Sequence, residues 1–218
     1  MAALVLGLTD MTAGILMGGD MSLIPDNSEG FLNLLADNPI KGLYFLDFLN
    51  MVSQALTMPL FLSLVLLHRD KNPGLSLTLV VLSVTGLVLF IAGNAALPLW
   101  GLARKFAVAG IDKPGLLAAG EALLARGEHG SPGAFPAFFI STMASLSASF
   151  LMFRGGLFGK PVPSMGIAGS LLLLVYLVLV TFVPGTKTVA MALAAPGGLS
   201  ALIWLAGTAV IMLKKRAI

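Results

Sequence analysis

The 218-residue chain contains no cysteine. Disulfides, iron–sulfur ligation and thiol chemistry are thereby excluded, while the redox compartment stays open. Charge is nearly as scarce: Asp, Glu, Lys and Arg make up 11% of the residues, against 57% hydrophobic ones. With a mean hydropathy of +0.97, too little polar surface remains to cover a water-soluble globule. Histidine occurs twice, as His68 and His129. In the topology derived below these lie on opposite sides of a membrane, so neither a His-based metal site nor a bis-His haem can form within one chain. The stretch APGGLSA lacks the Lys and the strand context of a phosphate loop, and no nucleophile-elbow motif accompanies His129. No cofactor and no metal are expected, and a non-catalytic protein is the favoured reading, with an intramembrane enzyme acting on lipid through Asp10, Asp47, Glu121 or Glu128 left as a third one.

What is present is long apolar sequence. Six stretches approach the roughly 20 residues that cross a bilayer as helix: Met1 to Gly19, Gly42 to Leu67, Leu75 to Trp100, Gly133 to Phe153, Met165 to Val183 and Gly197 to Leu213. Backbone groups in lipid must bond within their own segment, and the short alternating segments of a membrane barrel are absent. The expected fold is an all-α polytopic membrane helix bundle with about six transmembrane helices, forming a single integral membrane domain over residues 1–218. The bilayer is the expected partner, possible other membrane subunits are left open, and no nucleic acid is expected. Met1 opens into apolar sequence without the basic residues of a signal peptide, so a cleaved leader is not expected.

Cations set the expected orientation. With a cytoplasmic amino terminus, the inner segments hold Arg69, Lys71, Arg154, Lys160, Lys214, Lys215 and Arg216, seven of the 13 Lys and Arg residues. Lys41, Arg104, Lys105, Lys113, Arg126 and Lys187 spread over much longer outer segments, so positive density falls about threefold outside. The protein is expected in the cell membrane with both termini cytoplasmic. The net charge of +3 and pI near 9.4 then reflect an inner rim facing anionic lipid.

Two outer loops carry amphipathic stretches expected to form short interfacial helices. In the first, Ser28 can cap a helix whose Phe31, Leu32, Leu34 and Leu35 lie against the membrane. In the second, Asp112 and Pro114 start a helix that Gly127 stops. Arg126, Glu128 and His129 read most economically as a solvated loop.

The polar groups inside the apolar stretches form two constellations. Asp47, Asn50, Gln54 and Thr57 follow i, i+3, i+7 and i+10, one stripe of a helix. An acid at helix centre costs about 2.5–3.5 kcal/mol to insert, so the stripe must avoid lipid. Plain interhelical hydrogen bonding is the first reading of these groups; the other is a partly wet cleft in the outer half of the bundle whose expected ligand-binding set is Asp10, Asp47, Asn50, Gln54 and Asn94. On the fourth stretch Ala137, Ser141, Ser145 and Ser149 recur every four residues, and Gly166 and Ser170 on the fifth match them in shape. Ser141, Ser145, Ser149, Gly166 and Ser170 are expected to be a helix-packing seam. The 11 methionines read as adaptable packing, not metal ligands.

The run AAGEALLARGEHG, then SFLMFRGGLFGK and SMGIAG, resembles the bacterial family numbered 4386 among the domains of unknown function. The similarity is strongest from Ala118 to Pro184, in the Met-Phe-Arg end of the fourth helix, Phe158 before Gly159 and Lys160, and Gly166 in the next span. The resemblance implies a compact multi-helix membrane protein and transfers no functional residue. The expected role is an accessory or scaffold subunit of a membrane assembly, the alternative a carrier or binding protein for a small or lipophilic ligand using an outer-half polar cleft.

Overall fold

The computed structural model describes residues 24–108, 112–127 and 130–216. Numbered from the first described one, its helices are α1 (Ser28–Asp37), α2 (Pro39–Phe45), α3 (Phe48–His68), α4 (Pro73–Gly93), α5 (Ala96–Phe106), α6 (Lys113–Gly127), α7 (Phe135–Gly155), α8 (Pro161–Phe182) and α9 (Lys187–Arg216). No strand occurs among the described residues. Five segments are long and apolar enough to cross a membrane: Phe48–His68, Pro73–Phe106, Phe135–Gly155, Pro161–Phe182 and Thr188–Lys214. The expected first span, Met1 to Gly19, and Asp10 with it lie outside the described residues. The rest is the all-helical membrane bundle that composition and run length require.

The helix α4 shows why these segments belong in lipid. Its bundle face carries Ser76, Leu79, Ser83, Gly86 and Phe90, all buried, at helical spacing. The opposite stripe, Leu77, Val81, Val84, Val88 and Ile91, is exposed, Leu77 by 65% and Val88 by 58%. Small and hydroxylic residues face the partners while branched aliphatics face outward, the distribution that lipid rewards and water would not.

Helix packing follows chain order except at the centre. The most buried span, α7, packs on α4, α8 and α3; α8 also packs on α9, and α4 on α3. Phe61, Leu64, Leu79, Ala144, Ala148, Leu151, Met152, Phe158 and Trp204 form the shared core. Within it Trp204 donates its indole N–H to Met152 Sδ at 3.3 Å, which satisfies a donor that has no water to turn to. At the end of α3, His68 is buried and its Nδ1 lies 2.9 Å from Leu64 O. A carbonyl only accepts, so this nitrogen carries the proton.

Three expected spans differ in detail. The second is broken at Leu46 and Asp47, with Asp47 in the left-handed region at φ 57°, so the stripe begins at a helix junction and not inside a continuous helix. The third stops at Gly93 and resumes as α5, because Asn94 adopts φ −62° and ψ 127°. Its Oδ1 accepts the Ala96 N–H at 3.0 Å and its Nδ2 donates to Leu46 O at 3.0 Å, so the side chain replaces the backbone bonds that the break forfeits. The last span begins ten residues earlier than expected, at Lys187, and runs through Pro196.

The two outer-loop helices do not lie singly on lipid. With α2 and α5, α1 and α6 build a small cap in which α1 rests on α5, around Phe31, Leu32, Leu35, Leu99, Ala103 and Leu124. Packing apolar faces on one another removes them from both water and headgroups. Asn27, not Ser28, caps α1, its Oδ1 accepting from Gly30 N–H at 2.9 Å. Ser28 ties α1 to α6: its N–H donates to Glu121 Oε1 at 2.7 Å and its hydroxyl to Leu117 O at 3.0 Å. Arg126 is not part of a solvated loop, since its Nη2 donates to Ala92 O at 2.7 Å, placing a cation on the last carbonyls of α4. Glu128 and His129 lie outside the described residues.

The Ser28 contacts hold the Glu121 carboxyl below the usual carboxylate range, the backbone N–H contributing most. A lowered folded pKa gives stability that is complete above the unfolded value and is lost as pH falls through the folded one. Protection of the Ser28 amide in hydrogen exchange should therefore weaken on acidification below that range. Glu121→Gln keeps the acceptor oxygen and should make the protection independent of pH; an unchanged acid dependence in that variant would refute the assignment.

Candidate functional site

A groove of ≈ 1010 Å³ lies between α3 and α9, floored by α7 and α8, where α3 packs on α4 and α7 but α9 packs on α8. That volume is at the upper end of the roughly 300–1,000 Å³ typical of ligand pockets. Its rows run from Tyr44, Asn50 and Met191 at the cap end to Gly166, Trp204 and Leu205 deeper in the bundle. Along α9, Met191 to Leu205 spans about 21 Å at 1.5 Å per residue. The rim is open, with Met191 and Leu199 both exposed.

The two long walls differ in chemistry. On one side Asn50, Ser53, Gln54 and Thr57 of α3 and Ser141, Thr142 and Ser145 of α7 present amides and hydroxyls; on the other α9 presents Ala194, Ala195, Leu199, Leu202 and Leu205. The α3 wall exists because i, i+3, i+4 and i+7 from Asn50 to Thr57 share one helical face. Thr57 donates to Ser53 O at 2.7 Å, Thr142 to Phe138 O at 2.8 Å and Ser145 to Ser141 O at 3.3 Å. These hydroxyl protons are thus committed to their own helices, and what remains toward the groove is lone pairs. The Gln54 side chain forms no hydrogen bond among the described residues.

Of the expected binding set, Asn50 and Gln54 line the groove together with Thr57. Asp47 stands one hydrogen bond behind the lining, its Oδ1 accepting from Asn50 Nδ2 at 2.8 Å. Asn94 sits at the α4–α5 break with both amide atoms engaged by backbone. Of the expected packing set, Ser149 is fully buried and donates to Ser145 O at 2.9 Å. A Cβ on Gly166 would collide with Ser149 Oγ and would stand 2.5 Å from Trp204 Cδ1. Ser141, Ser145, Gly166 and Ser170 are also groove lining, so this small-residue face both seats neighbours and leaves space.

The sequence reading did not include Ser53, Thr142, Tyr44 or the α9 wall. Ser53 and Thr142 each neighbour a residue that was singled out, a signal that was available. The α9 wall carried none, because an apolar run does not reveal which face meets a gap. Pro59 and Pro196 interrupt the two flanking helices, each removing one backbone N–H from the ladder. Among the described residues no three of His, Asp and Glu converge as a metal site.

No curated protein and no solved structure matches the chain. A family model does match, over residues 2–206, nearly the whole sequence. The chain belongs to the family described as Domain of unknown function (DUF4386).

Proposed function

We propose that this membrane protein binds an amphiphilic small molecule or lipid in the groove between α3 and α9, with the polar part against α3 and α7 and the apolar part along α9. The observation that carries this reading is the Gln54 amide, a two-way hydrogen-bonding group with no hydrogen bond among the described residues, set in a groove with one polar and one aliphatic wall. In the same lining the Ser141 hydroxyl is buried with no hydrogen-bond partner among the described residues, which away from water costs roughly 1–3 kcal/mol. A bound amphiphile recovers that cost. In this reading the cap faces outward, because Arg69, Lys71, Arg154, Lys160 and Lys214 all lie at or within one turn of the helix ends opposite it.

The accessory-subunit reading drew on the small-residue faces. A Cβ added at Gly86 would meet Ser141, one at Gly166 would meet Ser149 and Trp204, and one at Gly169 would stand 2.9 Å from Gly197 O, so these faces are spent on contacts within the chain and no longer favour an external partner.

Native mass spectrometry of the protein purified in mild detergent should show a retained amphiphile near one per chain, and Gln54→Leu should lower its occupancy about tenfold, the worth of one hydrogen bond to a desolvated amide. Because the chain has no cysteine, pairs introduced singly can also be trapped. A cysteine at position 54 that cross-links quantitatively to one placed within residues 1–23, whatever amphiphile is added, would overturn the reading by showing the groove occupied by the chain itself.

A further inference from the structure

Resting on that reading, we infer that the groove selects by headgroup: it takes an uncharged headgroup that donates hydrogen bonds, a hydroxyl or primary or secondary amide, and discriminates against anionic and quaternary ammonium headgroups. The first ground is the hydrogen-bond inventory. The Ser53, Ser141 and Ser170 hydroxyls in the lining form no hydrogen bond among the described residues and can donate or accept. With the Thr57, Thr142 and Ser145 protons committed to their own helices, however, the other three hydroxyl oxygens can only accept. Their complement is a ligand O–H or N–H. A carboxylate or phosphodiester offers acceptors alone, and a quaternary ammonium offers neither. Gln54 supplies both a donor and an acceptor, so it can pair with the ligand's oxygen while the hydroxyl row takes the ligand's proton.

The second ground is charge. No charged side chain lines the groove among the described residues, although the chain carries 13 Lys and Arg residues. An anionic headgroup drawn into this low-dielectric space would be desolvated without a counter-ion. An acidic residue stands close by: Asp47 lies just behind Asn50. Its field repels an anion, while Asn50 stands between it and the lining, so a cationic headgroup gains no direct ion pair.

Trp204 reports on the site, since it lines the groove and only two tryptophans are present. In the full chain carrying Trp100→Phe, bromine-labelled acyl chains entering the groove should quench Trp204. Three probes share one labelled chain: a monoacylglycerol, its phosphate monoester and an alkyl trimethylammonium. The monoacylglycerol should quench saturably, be displaced by unlabelled monoacylglycerol, and bind at least tenfold more tightly than either charged probe. Gln54→Leu and the near-isosteric Thr57→Val should each narrow that preference. A phosphate ester binding as tightly as the monoacylglycerol would overturn the headgroup inference, as would a trimethylammonium probe that binds best and is lost in Asp47→Asn. If no probe quenches saturably, the groove reading itself fails, which is a separate result.

Discussion

Gly166→Val is expected to disrupt the α7–α8–α9 core. A Cβ at this position collides with Ser149 Oγ and meets Trp204 Cδ1 at 2.5 Å and Cγ at 2.8 Å. Neither neighbour can yield cheaply. Ser149 is fully buried and hydrogen-bonded to Ser145 O, and Trp204 is anchored through its indole N–H to Met152. Overpacking a tight interior typically costs about 1–3 kcal/mol, and valine adds two further methyl groups to the collision, so a loss near the upper figure is expected. Thermal unfolding in detergent should show a clear drop in midpoint, with an aggregated fraction on size-exclusion chromatography. Ser149→Gly should return part of the loss for Gly166→Ala but not for Gly166→Val, because it clears one of the two obstacles and leaves the indole. A valine variant that melts with the parent protein would show that α8 does not approach its neighbours this closely.

Asn94→Leu is the second large effect. The side chain carries two bonds at once, receiving the Ala96 N–H and donating to Leu46 O, each at 3.0 Å. Its loss removes both and leaves a peptide N–H and a carbonyl unpaired at a partly buried junction. At about 1 kcal/mol for each net bond, plus desolvation of the orphaned groups, the cost is about 3 kcal/mol. Asn94→Asp should be no rescue: a carboxylate still accepts from Ala96 but can no longer donate to Leu46 O. Because Leu46 lies beside Asp47, both variants should also loosen the cap end of the groove, measurable as faster labelling of a cysteine placed at position 50. Equal labelling rates and an unshifted melt would remove Asn94 from its role as the clip between α5 and the start of α3.

The residues of α4 and α3 show how much was legible in advance. Leu77, Val81, Val84, Val88 and Ile91 against Ser76, Ser83 and Gly86 form two faces that helical period alone separates, and the structure turns them outward and inward accordingly. Asn50, Gln54 and Thr57 are likewise on one face by spacing, and they do share the groove wall. Asp47 carried the same spacing but not the same helix: its left-handed conformation places it at a junction, where periodicity no longer applies. The third apolar run looked continuous because apolar composition does not encode a break, and Asn94 acts as one only through its bond to Leu46, 48 residues away in sequence. The cap was hidden for a similar reason. An amphipathic helix has the same sequence whether its apolar face meets lipid or another helix, and Phe31 and Leu99 declare their partnership only when packed.

Composition and run length were sufficient for an all-helical membrane protein, since a chain this poor in charge can satisfy its backbone in lipid in few other ways. Which helices touch, that Gly166 admits Trp204, that α3 and α9 stand apart with a polar wall facing an aliphatic one, and that Ser28 meets Glu121 were decided by tertiary packing. Local periodicity specifies which face of a helix is to be hidden, but what hides it depends on shape and contact between segments distant in sequence.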